Sequence, residues 1–340
     1  SQNYSPNIKL FDNVNFIPLR KTGNKIKDGT LSLFPELEDK IRQQTDTVNW
    51  IRISKDQLNA KYVPKYTFVD LFAGAGGLSL GFEMAGFRGI AAVEIFQQAV
   101  ATYKYNFPHT EVVDKDIKKE KTKELLRMIV NKKLGSKTLD VLIGGPPCQG
   151  FSLAGFRIVE DPRNSLYKEF LDVTRMLNPY VIVIENVEGL RSMLGGMVEK
   201  KILKDIEEIG YQANITTLNS AAYGVPQVRK RVIIIGNRLG IKNLHPAPVY
   251  NPDEYRTVRD AIEDLMDRGE DKEFSHIFTR HTKKMQDALS EVPEGGTLYP
   301  QYTDAWKKPY WNKPAPTVKE NHGGVHIHPC LLYTSPSPRD

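Results

Sequence analysis

The chain has 340 residues, 40% of them hydrophobic, which is enough for one large domain with its own core and a smaller one. Its longest apolar runs, VIVI at 181–184 and VIII at 232–235, are the length of strands and exclude a membrane-spanning helix, which needs about 20 apolar residues. The net charge of +6 and the pI near 9.0 permit a polyanionic partner without identifying one. Two cysteines, Cys148 and Cys330, give no disulfide framework, so we expect a reducing, cytoplasmic setting. The N-terminus lacks a basic start followed by an apolar stretch, so we expect no secretory signal.

Residues 1–65 are polar and basic, and we treat them as an N-terminal extension of unassigned role. Over residues 66–240, β-rich runs such as TFVDLF, GIAAVE, VLIGG, YVIVIEN and RVIIIG alternate with helical patterns. This alternation predicts a doubly wound, Rossmann-like α/β domain with a largely parallel sheet. The segment 118–133 carries Leu125, Met128 and Ile129 at helical spacing, which indicates a helix whose charged face is solvated. Residues 241–312 break the pattern and predict a small inserted domain.

A glycine-rich turn, FAGAGG at 72–77, follows the first predicted strand and leads into a helix. Open α/β sheets bind cofactors at this position, outside the carboxyl ends of their strands. Glu94 follows the second strand, where a carboxylate can hold ribose hydroxyls, and Asp116 ends the third. The pattern predicts an adenosine-containing cofactor. It does not separate a dinucleotide from S-adenosylmethionine, and a turn that only packs a helix closely would use the same glycines.

The fourth predicted strand is followed by GGPPCQGFS, which contains Cys148. A lone cysteine is most often a small buried hydrophobe. Two prolines fix the backbone before this one, and small residues follow it, which favours an exposed nucleophile. The fifth strand ends with Glu185, so a thiol and an acid would share one crevice beside the cofactor, a pattern typical of nucleophilic addition aided by proton transfer.

Taken together, DLFAGAGG, Glu94, Asp116, GGPPCQGFS, IENV and QVRKR resemble the DNA cytosine carbon-5 methyltransferase family, of the bacterial type, in order and spacing. The resemblance is continuous over about 66–240 and resumes at KPAPTV, 313–318, which is similar to the ninth conserved block of that family. Each motif alone would be weak, but the set is specific. The resemblance implies an S-adenosylmethionine-dependent methyltransferase domain at 66–240, a target-recognition region at 241–312 and a ninth block at 313–329.

The resemblance also implies a reaction. Cys148 would add to carbon-6 of a flipped cytosine, Glu185 would protonate ring nitrogen 3, and Arg231 would contact the 2-oxo group, with Arg229 in support. Carbon-5 would then take the methyl group of S-adenosylmethionine. The residues implied to contact DNA or the substrate are Gln149, Ser152, Arg163, Asn186 and Gln227. The residues implied to contact the cofactor are Phe72, Ala73, Gly74, Gly76, Gly77, Leu78, Glu94, Ile95, Asp116, Ile117 and Pro146.

The expected partner is double-stranded DNA, and the resemblance implies a role in restriction-modification beside an endonuclease that acts on the same site. We expect a monomer without membrane association. A tRNA cytosine-5 methyltransferase shares most of the motifs and remains an alternative, as does an inactive DNA-binding fragment. A NAD-dependent oxidoreductase is disfavoured by PPCQ and ENV.

The C-terminal segment departs from the family pattern. A tenth motif would follow the ninth block, but HIHP at 326–329 runs into a Ser/Pro-rich tail, residues 330–340, so we expect a truncated or artefactual terminus with weak cofactor binding. The spacing of His322, His326, His328 and Cys330 fits no standard zinc signature, so we expect no metal.

Overall fold

The computed structural model describes residues 49–51, 65–147, 165–266, 269–270, 280–301 and 306–318. The chain divides into two compact units. The first unit extends to Leu218 and includes Arg231–Ala247, whereas the second unit comprises Asn219–Lys230 and the residues from Pro248 onward.

The first unit is built on a seven-stranded sheet with the order β4-β3-β2-β5-β6-β8-β7. The neighbouring pairs from β4 to β6 are parallel, and β8 runs antiparallel to β6. The strands are β2 Tyr66–Leu71, β3 Phe87–Val93, β4 Glu111–Val113, β5 Val141–Gly144, β6 Val181–Val187, β7 Gln212–Asn219 and β8 Lys230–Asn237. This architecture confirms the predicted Rossmann-like α/β fold.

The N-terminal extension contributes one described element. Strand β1, Asn49–Ile51, pairs in parallel with β9, Leu244–Pro246, in a separate two-stranded sheet. A short part of the extension is therefore integrated into the first unit, which the sequence pattern did not predict.

In the described part of the first unit, five α-helices connect the strands of the large sheet. They are α1 Gly77–Met84, α2 Gln97–Asn106, α3 Glu120–Leu134, α4 Ser165–Leu177 and α5 Met197–Glu208. Residues Val141–Gly144 of β5 are all buried, as expected for a central parallel strand covered on both faces. The main core combines residues of this sheet with Leu126 and Val130 of α3 and Phe170 of α4. Met128 was expected on the apolar face of α3, but its side chain is 67% exposed because the helix turns Leu126 and Val130 inward instead.

The second unit contains the short helices α6 Val258–Ile262 and α7 Lys283–Ser290. The Thr257 hydroxyl accepts a hydrogen bond from Asp260 N, and the Asp260 carboxylate accepts one from Thr257 N, which caps α6. A small core forms around Leu289 and Val292. Within the described residues, no helix is long and apolar enough to cross a membrane.

Candidate active site

The order of the strands creates a switch point between β2 and β5. From β2 the chain proceeds outward through β3 and β4, and it then returns to β5 on the other side of β2. The last residues of these two strands, Leu71 and Gly144, are partners in the parallel ladder. A Cβ on Gly144 would lie 2.5 Å from the Leu71 carbonyl oxygen, so glycine permits this close approach. The two segments that follow, FAGAGG and GGPPC, therefore begin side by side where open α/β sheets bind ligands.

The glycine-rich turn has an unusual backbone. Phe72 adopts a φ of 58°, which is rare for a bulky residue and typical of functional turns. Gly76 has a φ of 93°, and an added Cβ there would clash with the ring of Phe107, the residue that follows α2. By contrast, a Cβ on Gly74 or Gly77 would meet no heavy atom of another described residue within 4 Å, apart from the chain neighbours and the backbone of α1 itself. Among the described residues, the turn is thus packed against aromatic side chains on one side and open on the other.

Glu94 orders this turn from the end of β3. Its Oε2 accepts a hydrogen bond from Gly74 N at 2.8 Å, and its Oε1 accepts hydrogen bonds from Ile95 N and Phe96 N, each at 2.8 Å. A carboxylate has about four acceptor positions, so three bonds leave room for one more donor, such as a ribose hydroxyl.

The other residues expected at the cofactor differ in exposure. Ile95 is 59% exposed, whereas Ile117 is 4% exposed and packs in the main core. Asp116 lies in the turn after β4 rather than in the strand, and its Oδ1 accepts a hydrogen bond from Lys118 N at 3.0 Å. Ala73 and Leu78 pack into two separate apolar clusters. The side chains of Ile117, Ala73 and Leu78 are therefore packed in apolar clusters of the protein interior.

Glu185 and Arg231 form an ion pair at the end of β6. In the antiparallel register of β6 and β8, Arg231 is opposite Val187, so Glu185 is its diagonal neighbour on the same face of the sheet. Arg231 Nε lies 2.8 Å from Glu185 Oε1, and the two side chains are 22% and 31% exposed. The other carboxylate oxygen lies beside Gly145, where an added Cβ would be 3.0 Å from it. The acid thus lies between the guanidinium of Arg231 and the backbone of Gly145.

Asn186, the next residue of β6, lies on the opposite face of the strand. Its side chain is buried, and its Nδ2 donates to the Pro146 carbonyl at 2.9 Å. Its Oδ1 accepts from Val187 N at 2.8 Å. Pro146, which was expected near the cofactor, is buried as well. This amide therefore ties the backbone of Pro146 to β6.

The remaining predicted residues fall in two groups. Gln227 and Arg229 belong to the second unit, where Gln227 forms a parallel bridge with Ala315 and Arg229 Nη1 donates to the Val318 carbonyl at 3.4 Å. The segment 226–229 is thus attached to the KPAPTV block. Outside the described residues are Cys148, Gln149, Ser152 and Arg163.

Sequence reasoning missed a buried polar network beneath the glycine-rich turn. Asp70 in β2 is 1% exposed, and its Oδ2 accepts a hydrogen bond from the Ser79 hydroxyl of α1 at 2.6 Å. That hydroxyl lies 2.7 Å from the Tyr103 hydroxyl of α2. Burial, with a smaller contribution from the nearby charge of Glu94 and against the hydrogen bond from Ser79, raises the pKa of Asp70 from 3.8 to about 7. The available signal was a single carboxylate inside the apolar strand TFVDLF.

His322, His326, His328 and Cys330 lie outside the described residues. Among the residues that are described, no group of three or more His, Cys, Asp or Glu side chains could hold a metal ion.

These features define a class of protein: a Rossmann-like α/β fold of the methyltransferase type, with an antiparallel strand between β6 and β7 and a glycine-rich turn beside an acid at the switch point. A family model of the C-5 cytosine-specific DNA methylases matches residues 66–326, and the chain belongs to that family.

Individual proteins support this assignment. The chain is 39% identical over 241 residues to the type II methyltransferase M1.HphI of Haemophilus parahaemolyticus, which covers 69% of this chain and 63% of that protein. It is 32% identical to the type II methyltransferase M.DdeI of Desulfomicrobium norvegicum, over 77% of this chain and 74% of that protein. Among solved structures, an E. coli protein described as a prophage-encoded DNA modification methyltransferase matches with a TM-score of 0.62 and 25% identity, over 80% of this chain and 86% of that one. The chain thus spans just under two thirds of M1.HphI.

Proposed function

We propose that this chain is a DNA (cytosine-5-)-methyltransferase that acts through a covalent cysteine adduct. The observation that carries the proposal is the carboxylate of Glu185, paired with Arg231 on one side and adjacent to Gly145 on the other, three residues before Cys148. A nucleophile and an acid at neighbouring strand ends suit an aromatic ring that must be attacked and protonated together.

The cofactor we propose is S-adenosylmethionine, which supplies the methyl group. The open side of the turn at Gly74 and Gly77 offers space for a ligand, and the remaining acceptor position of Glu94 fits a ribose hydroxyl. Backbone groups of Phe72, Ala73, Gly76 and Leu78, together with Ile95, Asp116, Ile117 and Pro146, would complete the contacts. The fit does not require pyrophosphate contacts, since the turn lacks the dinucleotide spacing of glycines.

In the proposed reaction, the thiolate of Cys148 forms a bond to carbon-6 of cytosine, and Glu185 donates a proton to ring nitrogen 3 as negative charge develops. Carbon-5 then takes the methyl group and S-adenosylhomocysteine leaves. A solvent base accepts the carbon-5 proton, the bond between the sulfur and carbon-6 breaks as the double bond re-forms, and the proton on ring nitrogen 3 returns to the Glu185 carboxylate, which regenerates the thiolate and the acid. Arg231 holds one oxygen of Glu185 and contacts the 2-oxo group of the base. Gln149, Ser152 and Arg163 would contact the DNA or the base, and Gln227 and Arg229 would support this arrangement.

The target cytosine must leave the base stack for these groups to reach it, which costs a few kcal/mol. We assign the choice of DNA sequence to the region 241–312, through particular base contacts rather than bulk charge. The names of M1.HphI and M.DdeI, both type II methyltransferases, support a role in restriction-modification, with an endonuclease that reads the same site. We further propose that the protein works in the cytoplasm as a monomer.

The test uses DNA that carries 5-fluorocytosine in place of cytosine, with S-adenosylmethionine present. Because fluorine cannot leave carbon-5 as a proton does, we expect a covalent protein–DNA adduct that survives denaturation. Cys148→Ala should abolish both the adduct and the methylation of ordinary DNA, while DNA affinity is retained. Methylation by Cys148→Ala would contradict the proposal, and transfer to tRNA in preference to DNA would favour the alternative substrate.

A further inference from the structure

A buried carboxylate lies next to the glycine-rich turn without a basic partner. Asp70 belongs to β2, two residues before Phe72, and is 1% exposed. Its partners in the parallel ladder, Ala92 of β3 and Ile143 of β5, carry no charge. Among the described residues, the charge that acts on Asp70 is that of Glu94, which is also negative. Buried carboxylates are usually paired with a cation, so this one is unusual.

Asp70 is held by a chain of two hydrogen bonds. Ser79 Oγ donates to Asp70 Oδ2 at 2.6 Å, and the Tyr103 hydroxyl lies 2.7 Å from Ser79 Oγ. A hydroxyl group can act as donor and as acceptor. The two hydroxyls can therefore donate toward Asp70 when its carboxylate is ionised and accept from it when it is protonated, so the network accommodates both charge states.

The network adjoins the turn that we propose as the cofactor site. Ser79 belongs to the N-terminal end of α1, which begins directly after the turn. A Cβ added to Gly76 would lie 3.0 Å from Tyr103 Cδ2, so the backbone of the turn is close to this ring. Glu94 accepts a hydrogen bond from Gly74 N. Two carboxylates thus border the turn, and within the described part of the chain neither forms an ion pair with Lys or Arg.

Two negative charges without basic partners favour a cationic ligand. S-adenosylmethionine carries a sulfonium charge that its product, S-adenosylhomocysteine, has lost. Opposite charges attract more strongly across the protein interior than across water, because the interior screens them less. The charge of Asp70 therefore acts on the difference between the two ligands, whereas hydrogen bonds from the backbone of the turn act on both alike.

We propose that Asp70 is a specificity-determining residue for the cofactor: its buried carboxylate favours S-adenosylmethionine, with its sulfonium charge, over S-adenosylhomocysteine, without touching either ligand. This inference rests on the proposed function, in which the first of these ligands is the methyl donor. It assigns to Asp70 the exchange of product for fresh cofactor between turnovers.

Protonation of Asp70 should remove this preference. Burial raises the pKa of Asp70 from 3.8 to about 7, so the carboxyl is mostly neutral below that pH and ionised above it. The sulfonium charge favours the ionised form. The ratio of the affinities for S-adenosylmethionine and S-adenosylhomocysteine should therefore rise between about pH 6 and about pH 8.

Other titratable groups lie around the network. They are Glu94 after β3, Tyr103 of α2 and, facing Tyr103, Glu83 of α1, which pairs with His109 at 2.7 Å. Both ligands also carry an amino group that titrates. These groups are the same in the unaltered chain and in an Asp70 variant, so the difference between the two chains isolates Asp70.

The test measures the affinities of the full chain for both ligands by calorimetry. In Asp70→Asn the ratio of the two affinities should fall on the order of 5-fold at about pH 8, and it should rise less with pH than in the unaltered chain. A purely structural role would weaken both ligands alike and leave the ratio unchanged. Asp140→Asn is the matched control: it removes a carboxylate that accepts hydrogen bonds from Thr67 near the start of β2, and it should not change the ratio.

A second measurement does not depend on the folding of Asp70→Asn. Calorimetry of the unaltered chain in buffers with different enthalpies of ionisation counts the protons released on binding. At about pH 7, and after correction for the titration of each free ligand, S-adenosylmethionine should release a larger fraction of a proton than S-adenosylhomocysteine, because only the sulfonium charge lowers the pKa of Asp70.

Two results would overturn the inference. An unchanged ratio in folded Asp70→Asn at about pH 8 would make the residue structural. Equal corrected proton release by the two ligands would show that Asp70 does not respond to the sulfonium charge. If the unaltered chain binds neither ligand, the proposed cofactor is wrong and the inference fails with it, so this failure is distinguishable from the other two.

Discussion

Glu94 follows strand β3 and Glu185 lies near the end of strand β6, so both are at the carboxyl edge of the parallel part of the sheet. Their carboxylates are nevertheless held in different ways. Glu94 accepts three hydrogen bonds, all from backbone N–H groups, and it joins the end of β3 to the glycine-rich turn. Glu185 is paired with a side chain, the guanidinium of Arg231. Backbone donors are fixed by the fold, whereas the Arg231 side chain can change rotamer.

The difference separates a carboxylate that shapes a binding site from one that can take part in a reaction. Removing Glu94 should disturb the conformation of the turn, and removing Glu185 should leave the fold largely intact. The following predictions test this separation, beginning with the largest expected effect.

Glu185→Gln should lower turnover about 100-fold or more, because the amide cannot supply the proton that ring nitrogen 3 needs. The affinity for S-adenosylmethionine, measured by calorimetry, should change little. Glu199→Gln is a matched control, since Glu199 forms a comparable ion pair with Arg191 at 3.0 Å, and it should leave turnover unaffected. Equal activity of Glu185→Gln and the unaltered chain would make this residue structural.

Gly76→Ala should destabilise the fold by about 2 kcal/mol, because a left-handed backbone disfavours a Cβ and the methyl group would meet Phe107. Cofactor affinity should fall with it, since Glu94 holds the same turn. Gly81→Ala in α1 is the control: apart from the helix backbone and the chain neighbours, no heavy atom of the described residues lies within 4 Å of an added Cβ, and helix propensity predicts a gain of up to about 1 kcal/mol. Denaturant unfolding measures both, and similar values for the two variants would contradict the role of this packing.

Glu94→Gln should weaken cofactor binding by about 10-fold, because an amide presents a donor to at least one of the three N–H groups and leaves it unpaired. Turnover at saturating cofactor should change much less than in Glu185→Gln. Glu111→Gln, at an exposed position, provides the comparison. If the two glutamates of the site gave the same pattern of effects, the separation drawn above would be wrong.

Asp70→Asn tests the network under the turn and should have the smallest effect. The pKa of Asp70 is raised from 3.8 to about 7 in the folded state, so between these values the folded chain binds more protons at this carboxyl than the unfolded chain does. The stability that the neutral carboxyl contributes is therefore lost as the pH rises through the folded pKa. Stability should therefore fall by about 1 kcal/mol more in the unaltered chain than in Asp70→Asn between about pH 6 and about pH 8.

The same comparison also controls for His245. Burial lowers the pKa of His245 from 6.5 to about 4, so this residue lowers the stability of the folded state as the pH falls below 6.5, in the direction opposite to Asp70. Subtracting the two chains at each pH cancels the contribution of His245. An identical pH dependence in both chains would show that Asp70 is ionised throughout.

The sequence predicted the parts of the fold that depend on local pattern. The strands TFVDLF, VLIGG and YVIVIEN are β2, β5 and β6, and the glycine-rich turn leads into α1 as expected. These elements are specified by the periodicity of their apolar residues and by the residues of the turns between them, and both signals depend only on residues close together in the sequence. The end of β4 was less well predicted, because Asp116 follows the strand in a turn closed by its own carboxylate.

The contacts of a side chain with residues that are distant in the sequence could not be predicted from these local patterns. The motif IENV indicates a functional strand end, but the sequence does not show that Asn186 bonds to Pro146, 40 residues earlier. Likewise, the network at Asp70 uses Ser79 of α1, which bonds to Asp70, and Tyr103 of α2, which bonds to Ser79, and the approach of these two helices depends on tertiary packing. Ile117 next to Asp116 suggested a cofactor contact, yet core packing determines where its side chain lies.

The antiparallel register of β6 and β8 limits where this protein can accept insertions and deletions. Inserting one residue between Arg231 and the apolar run VIII would turn the guanidinium to the opposite face of the sheet while leaving the run correctly paired. The variant would retain the sheet but lose the ion pair with Glu185. Insertions and deletions compatible with activity should therefore be excluded from 181–187 and 231–237 and accumulate in the connecting segments, which a deep insertion scan would measure directly.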